Sequence, residues 1–301
     1  MHIIRKSQTV NPLLRRLIRV HNLAVILLND LQSSFSWHLA GGKPYYTKHY
    51  DELVDAHKWC FIVGCNNSGT SLLHKILENS NAVSTLPYEG QMYTHVLMRA
   101  RKRGFARVWT EYEEELSLSA SDYAKNAARL LHDWLRELPA PARKIVVEKT
   151  PANVLRMTWL QNVFQKSCFI GVVRNGYAVS EGIRRKGEKD IVRAARHWNR
   201  VNSIMEEQSK DINDFLWMRY EELTENTDHE MERLAGFLKL DPKTLKQSAM
   251  GGFTFKTIAG AETTAIRNFN AESLAALSPN DISEIRENAS EMLRYFGYES
   301  Y

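Results

Sequence analysis

The stretch FIVGCNNSGTSLLHKILENS, residues 61–80, changes character twice within twenty positions. An apolar run stops at Gly64, a polar turn GCNNSGTS follows, and Leu72, Leu73, Ile76 and Leu77 then recur at helical spacing. A buried strand, a tight turn and an amphipathic helix are the expected reading. The first N–H groups of such a helix have no intrahelical partner, and with the helix dipole they favour an anion. Ser68, Thr70 and Ser71 can add donors, so the turn has the makings of a phosphate cradle. A nucleoside triphosphatase loop would carry Lys where Thr70 stands, which counts against triphosphate chemistry. Taken alone, the turn can also be a mere connection, and only companions along the chain decide.

Outward from this turn, strands and helices alternate. KWCFIVG ends in the turn, NAVSTLP reads as a short second strand, and KIVVEK, SCFIGVVR and DFLWMRY as further strands. Helices are expected at Gln91–Arg103, Ser119–Glu137, in NVLRMTWLQNVF, and near Gly176–Lys186, Ile191–Lys210, Asn226–Lys239 and Pro279–Phe296. Alternation of this kind predicts an α/β fold, P-loop-like and three-layered, with a mostly parallel central sheet flanked by helices. Ligands of such sheets sit at the carboxyl ends of the strands. Residues 1–50 are expected to form a helical extension, broken by Gly41, Gly42 and Pro44, and residues 51–301 a single α/β domain.

With 301 residues, 44% of them hydrophobic, the chain can bury a substantial core. Its 40 Lys and Arg against 35 Asp and Glu give +5, a bias that suits anionic ligands but falls short of a nucleic-acid footprint. Cys60, Cys65 and Cys168 form no disulfide framework and no zinc spacing, which fits a reducing, cytoplasmic setting. Cys65 at the helix entrance is read as a small residue filling the loop. The scattered histidines offer no metal-ligand pair, and no metal is expected. No run reaches the ~20 apolar residues of a membrane span. NPLLRRLIRVHNLAVILLNDLQ reads as an amphipathic helix packed on its own domain or on a partner chain, with peripheral membrane contact through residues 11–31 as the alternative. Asn66 and Asn288 fit the glycosylation pattern, but a glycan at Asn66 would block the turn.

Four motifs in order carry a resemblance. SGTSLL after a buried strand resembles the 5′-phosphosulfate loop of sulfotransferases that use 3′-phosphoadenosine 5′-phosphosulfate (PAPS). GVVRNGYAVSEGI is similar to their 3′-phosphate segment, EKTP to the Lys-bearing turn of the carbohydrate and tyrosylprotein branches, and MRYEEL to their Tyr-Glu-x-Leu strand end. The likeness runs from about Trp59 to Tyr298. It implies sulfonate transfer from PAPS as cosubstrate to an acceptor hydroxyl, with adenosine 3′,5′-bisphosphate as product.

The resemblance assigns Asn67, Ser68, Gly69, Thr70 and Ser71 to the 5′ side of the nucleotide and Arg174 to its 3′-phosphate, which a guanidinium can meet bidentately. Glu89, in LPYEGQ, stands where the family's catalytic Glu stands and would take the acceptor proton, with His95 in reserve. Lys149 would bring charge to the leaving side. Tyr220 would lie near the nucleotide, and Arg267 belongs to the late segment that covers it. Two departures stand out. Asn67 holds a place where many members carry Lys or Arg. Gly182 holds the place of a Ser eight positions after the Arg, which leaves Ser180, two earlier, as its replacement, with Arg184 or Arg185 as substitutes. The expected acceptor is a glycan, a glycolipid or a small molecule, met by an insert bearing Tyr93, His95, Arg99, Arg101 and Trp109. A nucleotide kinase or NTPase and a non-catalytic relative are the alternatives.

Overall fold

The expected alternation is borne out in a computed structural model of the protein, which describes residues 28, 31–99, 107–118, 123–187, 190–256 and 261–300. Its centre is a five-stranded sheet in the order β2-β3-β1-β4-β5. The strands are β1 (Lys58–Gly64), β2 (Ser84–Thr85), β3 (Ile145–Lys149), β4 (Ser167–Val173) and β5 (Phe215–Arg219), all parallel. Strand β1 is buried on both faces, which is why its sequence reads as a continuous apolar run. Its side chains alternate between two cores: Trp59, Phe61 and Val63 face one, Cys60 and Ile62 the other.

The helices before and around the first two strands are α1 (residues 31–39), α2 (Gly42–Lys48), α3 (Tyr50–Asp55) and α4 (Thr70–Glu78). After β2 come α5 (Glu113–Leu116) and α6 (Tyr123–Leu135), and α7 (Met157–Val163) links β3 to β4. Helices α8 (Gly176–Gly187) and α9 (Ile191–Ser209) follow β4. The remainder are α10 (Tyr220–Glu225), α11 (Thr227–Leu238), α12 (Pro242–Ala249), α13 (Asn270–Leu274), α14 (Pro279–Asn288) and α15 (Ser290–Tyr295), with a small antiparallel hairpin of β6 (Phe253–Lys256) and β7 (Ala261–Thr264). Helices α4, α11 and α12 cover one face of the sheet, and α6 to α9, α14 and α15 cover the other. These are the three expected layers.

Two helix expectations need correction. Between Gln91 and residue 99 there is only a short 3-10 turn, Gly90–Met92, and residues 100–106 lie outside the described part. The backbone there is engaged elsewhere: Arg99 donates to the carbonyls of Gln91, Met92 and Thr94 at 2.6, 3.0 and 3.1 Å, so a guanidinium takes acceptors that helical N–H groups would have used. The second, Pro279–Phe296, is two helices separated at Ala289. Most of the candidate membrane segment 11–31 also falls outside the described residues. Among those described, no helix is long and apolar enough to cross a membrane, and all three cysteines are free and buried.

The chain crosses from β1 to β2, returns to β3, and then passes β1 to reach β4, so the strand order reverses beside β1. The polar turn leaves β1 at this switch point. Gly64 makes the approach possible: its φ is +148°, and a Cβ there would run into the carbonyl oxygen of Val172 on β4. Gly64→Ala is therefore expected to lower the unfolding free energy by about 2–4 kcal/mol in chemical denaturation. Gly236→Ala on α11, where a methyl meets open space, should instead gain about 0.5–1 kcal/mol.

Candidate active site

The polar turn is shaped by two residues with left-handed backbones, Asn67 at φ +67° and Gly69 at φ +100°. Between them Ser68 is fully buried and its N–H donates to the Cys65 carbonyl at 3.2 Å. Gly69 is the N-cap of α4, Thr70 is buried as its first residue, and Ser71 is exposed. A Cβ on Gly69 would lie 2.7 Å from the Tyr220 ring, so this turn can pack on Tyr220 only with glycine there. Cys65 is buried, and burial pushes its thiol far up, which leaves it as packing.

Arg174 leaves β4 and returns to this turn. Its Nη1 donates to the Asn67 carbonyl at 3.0 Å and its Nε to Asn270 Oδ1 at 2.7 Å. The guanidinium lies 4.2 Å over the Tyr220 ring. Burial pulls its pKa down, against the pull of Tyr220, Glu221 and Glu181. The other terminal nitrogen, Nη2, makes no hydrogen bond to a described residue. Tyr220 is fixed in turn: its hydroxyl donates to the Arg267 carbonyl at 3.3 Å and accepts from Phe269 N–H at 3.1 Å. Arg267 itself pairs with Glu272 at 3.0 Å and stacks on Phe269 at 4.1 Å.

The side chain of Asn67 meets cations that come from elsewhere. Lys186, on the last turn of α8, donates to Asn67 Oδ1 at 3.1 Å, and Arg107 approaches the same oxygen at 3.5 Å. Burial, then Arg185, Arg107 and Arg174, pull the Lys186 pKa down to about 8. A Cβ on Gly182 would lie 3.4 Å from Asn67, so the bare backbone of α8 forms the floor beneath that side chain. The suggested substitutes are held by carboxylates: Arg184 binds Asp281 at 2.7 Å and Arg185 binds Glu181 at 2.9 Å. Ser180 is fully buried on α8. Its Oγ, Ser68 Oγ and Asn67 Nδ2 are buried polar atoms without a partner among the described residues.

On the other side of β1, the carboxyl ends of β2 and β3 bring Glu89 and Lys149 together, with Lys149 Nζ 3.2 Å from Glu89 Oε1. Gln91 donates to the other Glu89 oxygen at 2.7 Å. Beneath them Glu148 is completely buried; it accepts from Gly90 N–H at 2.8 Å, from Asn153 Nδ2 at 2.8 Å and from the Thr150 hydroxyl. Trp134 donates to the Gly90 carbonyl at 3.0 Å, so both backbone polar groups of Gly90 are held. His74 on α4 is buried against the Leu86 carbonyl at 3.1 Å and is kept neutral, its pKa pulled down to about 4 by burial and by Lys149. A cavity of about 330 Å³ lies in the insert that follows, lined by Thr94, His95, Met98, Glu115 and Leu118 among others. Arg99 and Trp109 are buried within the fold, and Arg101 lies outside the described residues.

A profile of the sulfotransferase family matches residues 60–243, well over half of the chain. The chain belongs to the sulfotransferase family. Among solved structures it is similar to sulfotransferase STF1 from Mycobacterium tuberculosis, at 12% identity and a TM-score of 0.49 over 81% of this chain and 80% of that one. The sulfotransferase domain of the Synechococcus PCC 7002 olefin synthase is 17% identical, with a TM-score of 0.49 over 77% and 95%. Mouse sulfotransferase SULT7A1, complexed with PAP, is 15% identical, with a TM-score of 0.43 over 81% and 88%. No curated protein sequence matches the chain significantly.

In this sulfotransferase the sequence reading missed Lys186, Arg107, Asn270, Glu221 and Glu148. Glu221 and Glu148 sit inside the quoted motifs MRYEEL and EKTP, one step from the residues singled out. Lys186 lies three turns along α8 from Arg174, on the side that carries Gly182, so the glycine was the available signal.

Glu148 also carries a pH signature. Burial pushes its carboxyl up to about 7, opposed by the Thr150 hydroxyl, Gly90 N–H and Lys149. A carboxyl raised in the folded state contributes stability below its unfolded pKa and loses it as pH rises through the folded value. From pH 5 to pH 8, Glu148→Gln should therefore gain in melting temperature relative to the parent, a difference that cancels the opposite slope of His74. A flat difference between the two proteins would show that burial costs the carboxylate nothing.

Proposed function

We propose that residues 51–301 form the catalytic unit of a PAPS-dependent sulfotransferase that acts on a hydroxyl of a glycan or glycolipid. The observation that carries this reading is the 3.0 Å hydrogen bond from the Arg174 guanidinium to the Asn67 carbonyl, which joins the 5′ cradle to the 3′ anchor. The donor set suits a bisphosphorylated nucleotide. The α4 N-terminus and Ser68, Thr70 and Ser71 face one anionic group, Nη2 of Arg174 and Ser180 serve the other, and Lys186 and Arg107 supply the positive charge that Asn67 does not. Three buried polar atoms at these positions, Asn67 Nδ2, Ser68 Oγ and Ser180 Oγ, have acceptors and donors to offer. Tyr220 acts here as the packing piece between Gly69 and Arg174, and Arg267 as part of the covering segment.

In the reaction the acceptor oxygen forms a bond to sulfur while the bond from sulfur to the 5′-phosphate oxygen breaks, nearly in line. Glu89 takes the acceptor proton, and Lys149 neutralises charge growing on the leaving phosphate. Their 3.2 Å contact holds the ammonium beside the carboxylate, where the two flank the reacting groups. The insert between β2 and β3 offers the acceptor a cavity within the usual size range for small ligands.

Adenosine 3′,5′-bisphosphate is expected to bind in calorimetry, and Arg174→Ala should weaken it by about 100-fold, with Lys186→Met weakening it by about 10-fold. Absence of binding to the parent protein would end the reading. With labelled PAPS and a panel of glycans and glycolipids, Glu89→Gln should lower kcat by about 10²–10⁴-fold. Bisphosphate affinity should stay within about threefold in that variant, because Glu89 acts on the acceptor and not on the nucleotide. Transfer at the parental rate by Glu89→Gln would remove Glu89 from the role of base.

A further inference from the structure

Helix α1 is docked the wrong way round for a surface helix. Its polar side is the buried one. Ser33, only 1% exposed, donates to Asp133 Oδ1 at 2.5 Å, and Arg129 donates to Ser33 Oγ at 2.5 Å. Ser36 Oγ lies 3.2 Å from His132 Nε2, and Trp37 stacks on Tyr46 at 5.1 Å with the Arg129 guanidinium 5.4 Å from its ring. The outward side carries Leu31, Phe35 and Leu39, 67%, 68% and 73% exposed, and Leu28, one turn earlier in a helical position, is 59% exposed. Spacings of three and four residues put these four on one stripe.

Covering such a stripe would remove a contiguous apolar surface from water, which is favourable. The helix cannot roll to bury it on its own domain, because Asp133 is completely buried and draws hydrogen bonds from Ser33, Thr94 and Arg129. Losing Ser33 would leave that carboxylate short of a donor in a dry site. The stripe is therefore held outward.

Charge selects what covers it. The first 50 residues hold seven Lys and Arg, among them Arg15, Arg16, Arg19, Lys43 and Lys48, against a single acid, Asp30. The remaining 251 residues hold 33 Lys and Arg against 34 acids, so the chain's whole net charge of +5 resides in the segment that presents the stripe. A second copy would set one cationic segment against another. An anionic bilayer matches both the apolar stripe and the charge.

We propose that the outward face of α1, with Leu28, Leu31, Phe35 and Leu39 as its apolar contacts, seats this protein in the plane of an anionic lipid surface. The seat is independent of which donor or acceptor the active site uses.

Flotation of the full chain with vesicles tests it. Vesicles of phosphatidylcholine and phosphatidylserine at about 3:1 should carry the protein, phosphatidylcholine alone should carry about tenfold less, and raised salt should weaken the capture. The triple variant Leu31→Ser, Phe35→Ser, Leu39→Ser should lose about tenfold in capture while keeping the melting temperature and the bisphosphate affinity of the parent, since all three side chains are exposed and remote from the nucleotide residues. Failure of the parent to float with either vesicle overturns the proposal, as does capture unchanged in the triple variant. A parental dimer that the triple variant turns into a monomer, read by light scattering, assigns the face to a second copy and overturns it equally.

Discussion

One guanidinium holds the polar turn, the end of β4 and the late segment of this protein together. Arg174 lies half-buried between the Asn67 carbonyl, the Asn270 amide and the Tyr220 ring, which belong to three segments far apart in sequence. A desolvated guanidinium gains from each acceptor it finds, and loss of the Asn67 carbonyl or the Asn270 amide would leave a further donor unmatched. Asn270 is itself tied to Glu221, which also accepts from Asn175 N–H and from the Tyr298 hydroxyl at 2.7 Å. Turn, strand end and late segment are thereby fastened around one charge. The carbonyl that Arg174 grips belongs to a residue in a left-handed conformation, so the same contact that places the guanidinium also fixes the curvature of the turn.

The other half depends on a buried carboxyl. Strands β2 and β3 are neighbours, so Glu89 and Lys149 leave adjacent carboxyl ends, but adjacency alone would let a loop glutamate swing freely. Glu148 removes that freedom by binding the peptide N–H of Gly90, next to Glu89, while Thr150 and Asn153 hold Glu148 from the far side of Lys149. Asn153 passes the constraint to Arg156 at 3.2 Å, whose guanidinium ends on the carbonyls of Leu116 and Met98. The insert between β2 and β3 is therefore wired to the loop that bears Glu89. A substitution in the insert can act on that loop without touching it.

What the sequence made legible follows from local physics. The continuous apolar run of β1, the glycines that permit its turn and the helical spacing after it are all short-range signals, and each appears where expected. The pairing of Arg174 with the turn could be expected only through the order of motifs, since 107 positions separate Asn67 from Arg174 and nothing local records their meeting. The expected helix at Gln91 failed for a non-local reason: Arg99, Glu148 and Trp134 claim backbone groups that helix periodicity assumes are available. Tyr220 illustrates the same limit, because nothing in its motif records that its hydroxyl is engaged by the backbone of residues 267 and 269. Outward-facing α1 was equally hidden, since an apolar stripe in sequence does not say which side of the helix will be docked.

The position of Asn67 shows how charge can be moved between elements. Its amide oxygen receives Lys186 from the far end of α8, with Arg107 beside it and Arg185 and Arg174 close enough to lower the Lys186 pKa. Cations brought together in this way repel one another, and burial deprives them of water, so the cluster is costly in the absence of a counter-charge. An anion on the turn would reverse both penalties at once and draw the Lys186 proton more tightly. Charge delivered from a helix also differs from charge carried by the loop. It depends on α8 keeping its distance from the turn, close enough that a methyl on Gly182 would just touch the Asn67 side chain.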